Sequence, residues 1–180
     1  MKRLILALVL GALAFPALAS AHPLGNFTIN RFARVEVADH HLYVRYVVDM
    51  AEIPTLQHVP VRIGRLQISL DGRPVSLHVV RTALAHPPGA AGLRTTRFQA
   101  ILVGPTVSRD TSVGVDDRNY ADRIGWKEIV FGATTKSTSD ELRAYPKDLL
   151  TSPLDVTQAS ATLAPSKGCP SWASSSNRIT

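Results

Sequence analysis

The sequence of 180 residues contains a single cysteine, Cys169, so no disulfide can form within one chain. The fold must therefore depend on a hydrophobic core. A membrane-spanning helix needs an apolar run of roughly 20 residues, and the sequence has no such run beyond residue 21. We therefore expect a single domain with no membrane part of its own beyond that point.

Sequence signatures of catalysis are also missing. The chain has no Gly-x-Ser-x-Gly elbow, no His-Glu-x-x-His helix and no glycine-rich phosphate loop. A serine–histidine–acid triad, which is recognised in space and not in chain order, stays open. The formal charge is +6, but the arginines are scattered singly, without the clustering that follows a phosphate backbone. The sequence predicts a binding protein, not an enzyme, and no nucleic acid partner.

The clearest feature that is present lies at the amino terminus. Lys2 and Arg3 precede an apolar run over residues 4–15, and small residues follow at 19–21. These are the three zones of a secretory signal peptide, and the apolar run is short for the alternative, an uncleaved membrane anchor. We expect a signal peptide over residues 1–21 and export to the periplasm or the outer face of the cytoplasmic membrane. The mature chain would then begin at His22.

Apolar and polar residues alternate at period two through most of the mature chain, which predicts strands. One hairpin is predicted over 27–50 and a second over 66–79, with a tight turn at Asp71-Gly72 because glycine tolerates positive φ. Further elements are predicted at 97–103, 111–115, 126–131 and 156–163 (strands) and at 49–55 (a helical turn). The sequence therefore predicts an all-β fold for residues 22–165, an antiparallel two-sheet sandwich of the immunoglobulin-like type.

The end of the chain lacks this pattern. Residues 166–180 are polar and rich in serine, with no periodicity. We expect a disordered tail there, in which Trp172 is too isolated to pack.

Three separated motifs carry a resemblance to a known family. They are HPLGNFTIN at 22–30, RYVVDMAEIPT at 45–55, and DRNY at 117–120 with RIGWKEIV at 123–130. In this order they resemble the amino-terminal extracytoplasmic domain of bacterial nickel/cobalt transporters of the NicO type. The resemblance implies an exported domain that precedes metal-carrying transmembrane helices. Since no such helix follows here, it implies an accessory domain and not itself a channel, either a truncated or frameshifted transporter or a naturally short relative.

His22 is the candidate metal ligand. As a free amino terminus it offers an α-amino and an imidazole nitrogen, a chelate suited to transition metals, with nickel, cobalt and copper as the candidate ions. Pro23 has no amide proton, so backbone nitrogens cannot complete a square-planar site and other ligands must come from elsewhere. Asp49 and Glu52 are candidate oxygen donors, although such a pair more often caps a turn or binds an arginine. The remaining histidines, expected to be unrelated surface or loop residues, are His40, His41, His58, His78 and His86.

The acidic loop over 116–122 lacks the pattern of a calcium-binding loop. We expect salt bridges and side-chain turns to organise it, and Trp126 to anchor the next strand with its indole nitrogen bonded.

Three functions stay open at this point. The first is a transport-associated accessory domain that binds a metal ion, the membrane segment of a transporter, or a neighbouring subunit. The second is a free periplasmic metal-binding protein that uses His22. The third is a protein-interaction module without metal.

Overall fold

The computed structural model describes residues 24–145 and 152–173, which form two packed β-sheets and one short helix. The elements are β1 (Ile29–Ala38), β2 (His41–Met50), α1 (Glu52–Leu56), β3 (Leu66–Leu70), β4 (Arg73–Val75), β5 (His78–Ala85), β6 (Thr96–Thr106), β7 (Thr111–Asp117), β8 (Lys127–Phe131) and β9 (Gln158–Leu163), with 3₁₀ turns at Ala90–Gly92 and Ser171–Ala173. No helix among the described residues is long and apolar enough to cross a membrane.

The five-stranded sheet has the order β5-β6-β2-β1-β8, and the four-stranded sheet has the order β4-β3-β7-β9. The predicted all-β, two-sheet sandwich is confirmed. One pair departs from the predicted antiparallel arrangement, since β8 runs parallel to β1. The loop after β7 crosses from the four-stranded to the five-stranded sheet, so β8 begins at the same end of the sandwich as β1 and runs in the same direction.

The core lies between the sheets and follows from the alternation in the sequence. On β2 the inward side chains are those predicted: Leu42, Val44, Tyr46, Val48 and Met50, each at most 1 % exposed. A second apolar cluster lies on the outer face of the five-stranded sheet, around Phe32, Val47 and Trp126. Strand β1 is consequently buried on both faces.

The second hairpin is shorter than predicted. Asp71 and Gly72 make the expected tight turn, with φ of 48° and 78°, and Ile68 pairs with Val75. Strand β4 ends there, and Val79 belongs to β5 in the other sheet. The alternation of apolar residues could not show that the chain passes from one sheet to the other between β4 and β5, because the inner faces of both sheets are apolar.

Residues 166–173 belong to the segment that was expected to be a disordered tail, but in the structure they contact β1, β2 and the turn between them. The amide of His40 donates to the carbonyl of Ser166 at 2.8 Å. The Ser171 amide donates to Glu36 Oε1 at 2.9 Å, and the rings of Trp172 and Tyr43 lie 6.2 Å apart. The predicted signal peptide and residues 174–180 lie outside the described residues.

Candidate functional site

The described parts of the three sequence motifs, 24–30, 45–55 and 117–130, meet at one end of the sandwich. Strand β1 begins there and β2 ends there, because Ile29 pairs with Met50 in antiparallel register. Strand β8 also begins there, since Arg31 pairs with Lys127 in parallel register. We call this region, formed by residues 24–28, 51–58 and 118–126, the motif end.

Hydrogen bonds join the segments of the motif end directly. The bonds are Ile53 N to Asn26 O (2.9 Å), Ala51 N to Thr28 O (3.0 Å), Ile29 N to Ile124 O (3.0 Å) and Trp126 N to Asn30 Oδ1 (2.8 Å). The loop after β7, the start of β1 and the start of α1 are therefore parts of one surface.

Gly125 permits the closest of these approaches. Its φ is +151°, and a Cβ there would lie against the carbonyl oxygen of Ile29 and 2.8 Å from Asn30 Oδ1. Any other residue would push the loop away from β1.

We therefore expect Gly125→Ala to lower the free energy of unfolding by about 2 kcal/mol or more, through strain and lost contacts. Urea denaturation measures this. Gly64→Ala is the matched control, since a Cβ there meets no atom within 4 Å, and it should change stability by less than about 0.5 kcal/mol. Equal effects of the two substitutions would contradict the close approach at Gly125.

A buried polar cluster supports the motif end from inside the sandwich. Arg31 and Asp117 are 1 % and 4 % exposed, and their Nε and Oδ2 atoms lie 2.9 Å apart. Asp117 also accepts hydrogen bonds from Tyr46 Oη at 2.8 Å and from Asn119, whose amide lies 3.0 Å away. Burial, and then the charge of Asp117, raise the pKa of Tyr46 well above its ordinary value.

The expectation that salt bridges and side-chain turns organise the loop 116–122 is thus confirmed, since Arg118 also pairs with Asp116 at 2.7 Å. The inward position of Arg31 was missed. It has the same parity along β1 as Ile29 and Ala33, so parity alone would have placed it in the core.

The outer face of the five-stranded sheet is covered by residues 132–145, which we call the strap. Glu128 on β8 holds its middle part, accepting hydrogen bonds from Thr138 N (2.7 Å), Ser137 Oγ (3.1 Å) and Ser139 Oγ. It also accepts from the indole nitrogen of Trp126 at 3.0 Å, so the predicted partner for that nitrogen is present. Burial alone would raise the pKa of the Glu128 carboxyl, but these donors together outweigh it and hold that pKa below its ordinary value.

Arginines on the sheet hold the end of the strap. Glu141 lies 3.1 Å from Arg34 Nε and 3.1 Å from Arg45 Nη1, and Arg97 donates to the Glu141 carbonyl at 2.7 Å. Beside them, Tyr145 Oη donates to Asp49 at 3.1 Å. The covered face is thus charged as well as apolar, which the strand alternation did not indicate.

The histidines and acids do not converge on a metal site within the described parts of the chain. No group of three or more His, Cys, Asp or Glu side chains there could hold a metal ion. Asp49 binds Tyr145, whereas Glu52 accepts from the Ala90 amide at 2.7 Å. His22, the predicted ligand, lies outside the described residues, and Cys169 is exposed.

Three large apolar side chains at the motif end are exposed to solvent. Phe27 is 64 % exposed, Leu56 is 56 % exposed and Ile124 is 70 % exposed. Each lies on a different one of the three segments. The remaining exposed large apolar side chains among the described residues are Val79, Val80 and Leu84, all on β5 at the sheet edge.

Comparison of the chain with protein-family models, curated proteins and solved structures gave no match.

Proposed function

We propose that this chain is an extracytoplasmic accessory domain associated with nickel or cobalt transport. It acts as a binding module, with the motif end as its working surface, against the membrane segment of a transporter or a neighbouring subunit. It works in the periplasm or at the outer face of the cytoplasmic membrane, after removal of residues 1–21.

One observation carries the proposal. The motifs that resemble the nickel/cobalt transporter domain are spread over about a hundred residues of sequence, yet they are joined by backbone hydrogen bonds at the motif end. A resemblance confined to core positions would instead follow the inner faces of the strands. Just over half of the described motif positions instead lie outside the strands, in the short helix and in loops, where binding residues are most often found, and this favours a role in recognition.

The construction of this surface also suits binding. The buried Arg31–Asp117 pair fixes the loop 118–126 from below, and Gly125 holds the same loop against β1. A surface held in place before contact loses little conformational freedom on binding, which favours affinity.

Two finer assignments belong to the proposal. The sandwich is immunoglobulin-like, which is supported by the nine strands of the described residues, arranged in two packed sheets with non-consecutive neighbours. His22, two positions before the first described residue at the motif end, is the metal ligand that the free amino terminus would supply.

The test is disruption of the gene in the source organism, with measurement of cellular nickel and cobalt under metal limitation and metal excess. We expect the content of at least one metal to change, and the intact gene supplied in trans to restore it, whereas zinc should stay constant as the control. Unchanged nickel and cobalt under both conditions would overturn the proposed function.

A further inference from the structure

We propose that the motif end rests on the surface of a lipid bilayer, with Phe27, Leu56 and Ile124 inserted among the lipids and arginines against anionic headgroups. This deepens the proposed function, because a module that works against a membrane-embedded partner needs a side that faces the membrane.

These three exposed apolar side chains lie together at one end of the sheet. Phe27 precedes β1, Leu56 lies in α1 after β2, and Ile124 precedes β8, so all three lie at the same end of the five-stranded sheet. Each is more than half exposed. Burying a side chain of this size in an apolar medium is worth about 1.5–3 kcal/mol, so their exposure in water is costly.

The surface around these side chains carries a net positive charge. The loop before β3 belongs to the same surface, since the amide of Arg65 donates to Asn119 Oδ1 at 3.1 Å. Over residues 56–65 and 118–126 the exposed charged side chains are Arg62, Arg65, Arg118, Arg123 and a single acid, Asp122. Arg118 and Arg123 already lie beside Asp116 and Asp122, so the net positive charge of this surface equals that of Arg62 and Arg65. A basic residue against anionic headgroups contributes about 1 kcal/mol.

The chain that precedes the domain also leads to this end. Residues 1–23 join the domain at Leu24 and contain the apolar run over 4–15. Until that run is removed, it would hold the domain to a membrane by the motif end.

A fluid bilayer fits these three protruding side chains, and the rest of the motif end stays available to the protein partner. The side chains stand on three separate segments, and a rigid partner would need a shaped pocket for each one. Lipid chains can rearrange around separate protrusions.

The test uses the mature chain, residues 22–180, with Cys169→Ser and one new cysteine, labelled with an environment-sensitive fluorophore, at position 27, 56 or 124. Without residues 1–21, the apolar run over 4–15 cannot bind the vesicles in place of the motif end. Val80→Cys is the matched control, since Val80 is 56 % exposed, as Leu56 is. Val79 pairs with Leu102, whereas β6 begins at the motif end with Thr96, so position 80 lies roughly 20 Å away from that end. The vesicles contain phosphatidylcholine with or without phosphatidylglycerol.

We expect the emission of the three motif-end labels to shift to the blue with the anionic vesicles and to be quenched by brominated lipid chains. The label at position 80 should keep its emission in water. Water-like emission at the motif end, or an equal shift at position 80, would overturn the proposal, and an equal response to neutral vesicles would overturn the role of the arginines. Because these vesicles contain no protein, this result is independent of the metal measurements that test the proposed function.

Discussion

Asp117→Asn is expected to lower the free energy of unfolding by about 3 kcal/mol, because it leaves the buried guanidinium of Arg31 without its counter-charge. The asparagine keeps the shape of the side chain, so the loss comes from charge and hydrogen bonding and not from a cavity. Asp117 accepts from Arg31, Tyr46 and Asn119, and all of these groups are buried. Urea denaturation at neutral pH measures the change.

The neighbouring residue provides a matched control. Asp116 pairs with Arg118, whose side chain is 66 % exposed. Exposed pairs of this kind contribute little, so Asp116→Asn should change stability by less than about 1 kcal/mol. If the two substitutions had the same effect, the buried pair would not be what stabilises the loop 118–126.

Glu141→Gln is the second substitution with a large expected effect. It removes the negative charge that lies between Arg34 and Arg45, both buried, and should cost about 3 kcal/mol of unfolding free energy. The strap should also become more exposed to hydrogen exchange, because Glu141 lies in a turn with three successive positive φ values, from 46° to 64°. L-residues adopt this conformation only when other contacts enforce it.

Asp140→Asn is the control for Glu141→Gln. Asp140 is exposed and lies in the same turn, and asparagine tolerates positive φ as well as aspartate does. We expect a change of less than about 0.5 kcal/mol and unchanged exchange in the strap. A strap that exchanges at the same rate in wild type and in Glu141→Gln would show that the arginines do not hold it.

The sequence was sufficient to predict most of the strands, because their alternation reflects a property of each strand alone. Strand β5 (His78–Ala85) was missed as a separate strand, since its first residues were assigned to the second hairpin. Both faces of β1 are buried, however, and its outer face carries Arg34 beneath the strap. From the sequence, polar residues on that face are predicted to face solvent, since a pattern of alternation cannot show that a distant segment covers them.

The motif end could be predicted only in part. The three motifs were visible in the sequence, but their meeting depends on the parallel pairing of β1 with β8, a contact between residues about a hundred positions apart. No local pattern encodes such a pairing. The exposure of Phe27 was equally hidden, because the alternation predicts Phe27 on the inward face of its strand, whereas it is 64 % exposed. Ile124 lies before the strand predicted over 126–131, so no alternation indicated whether it is buried or exposed.

The central claim is that the motif end is the working surface of a domain that serves nickel or cobalt transport. It is tested most directly by supplying Ile124→Ser or Val80→Ser in trans to the strain that lacks the gene, and measuring cellular nickel and cobalt. We predict that Val80→Ser restores the metal content of the intact strain and that Ile124→Ser does not. Equal restoration by both variants, at equal protein levels, would contradict the claim.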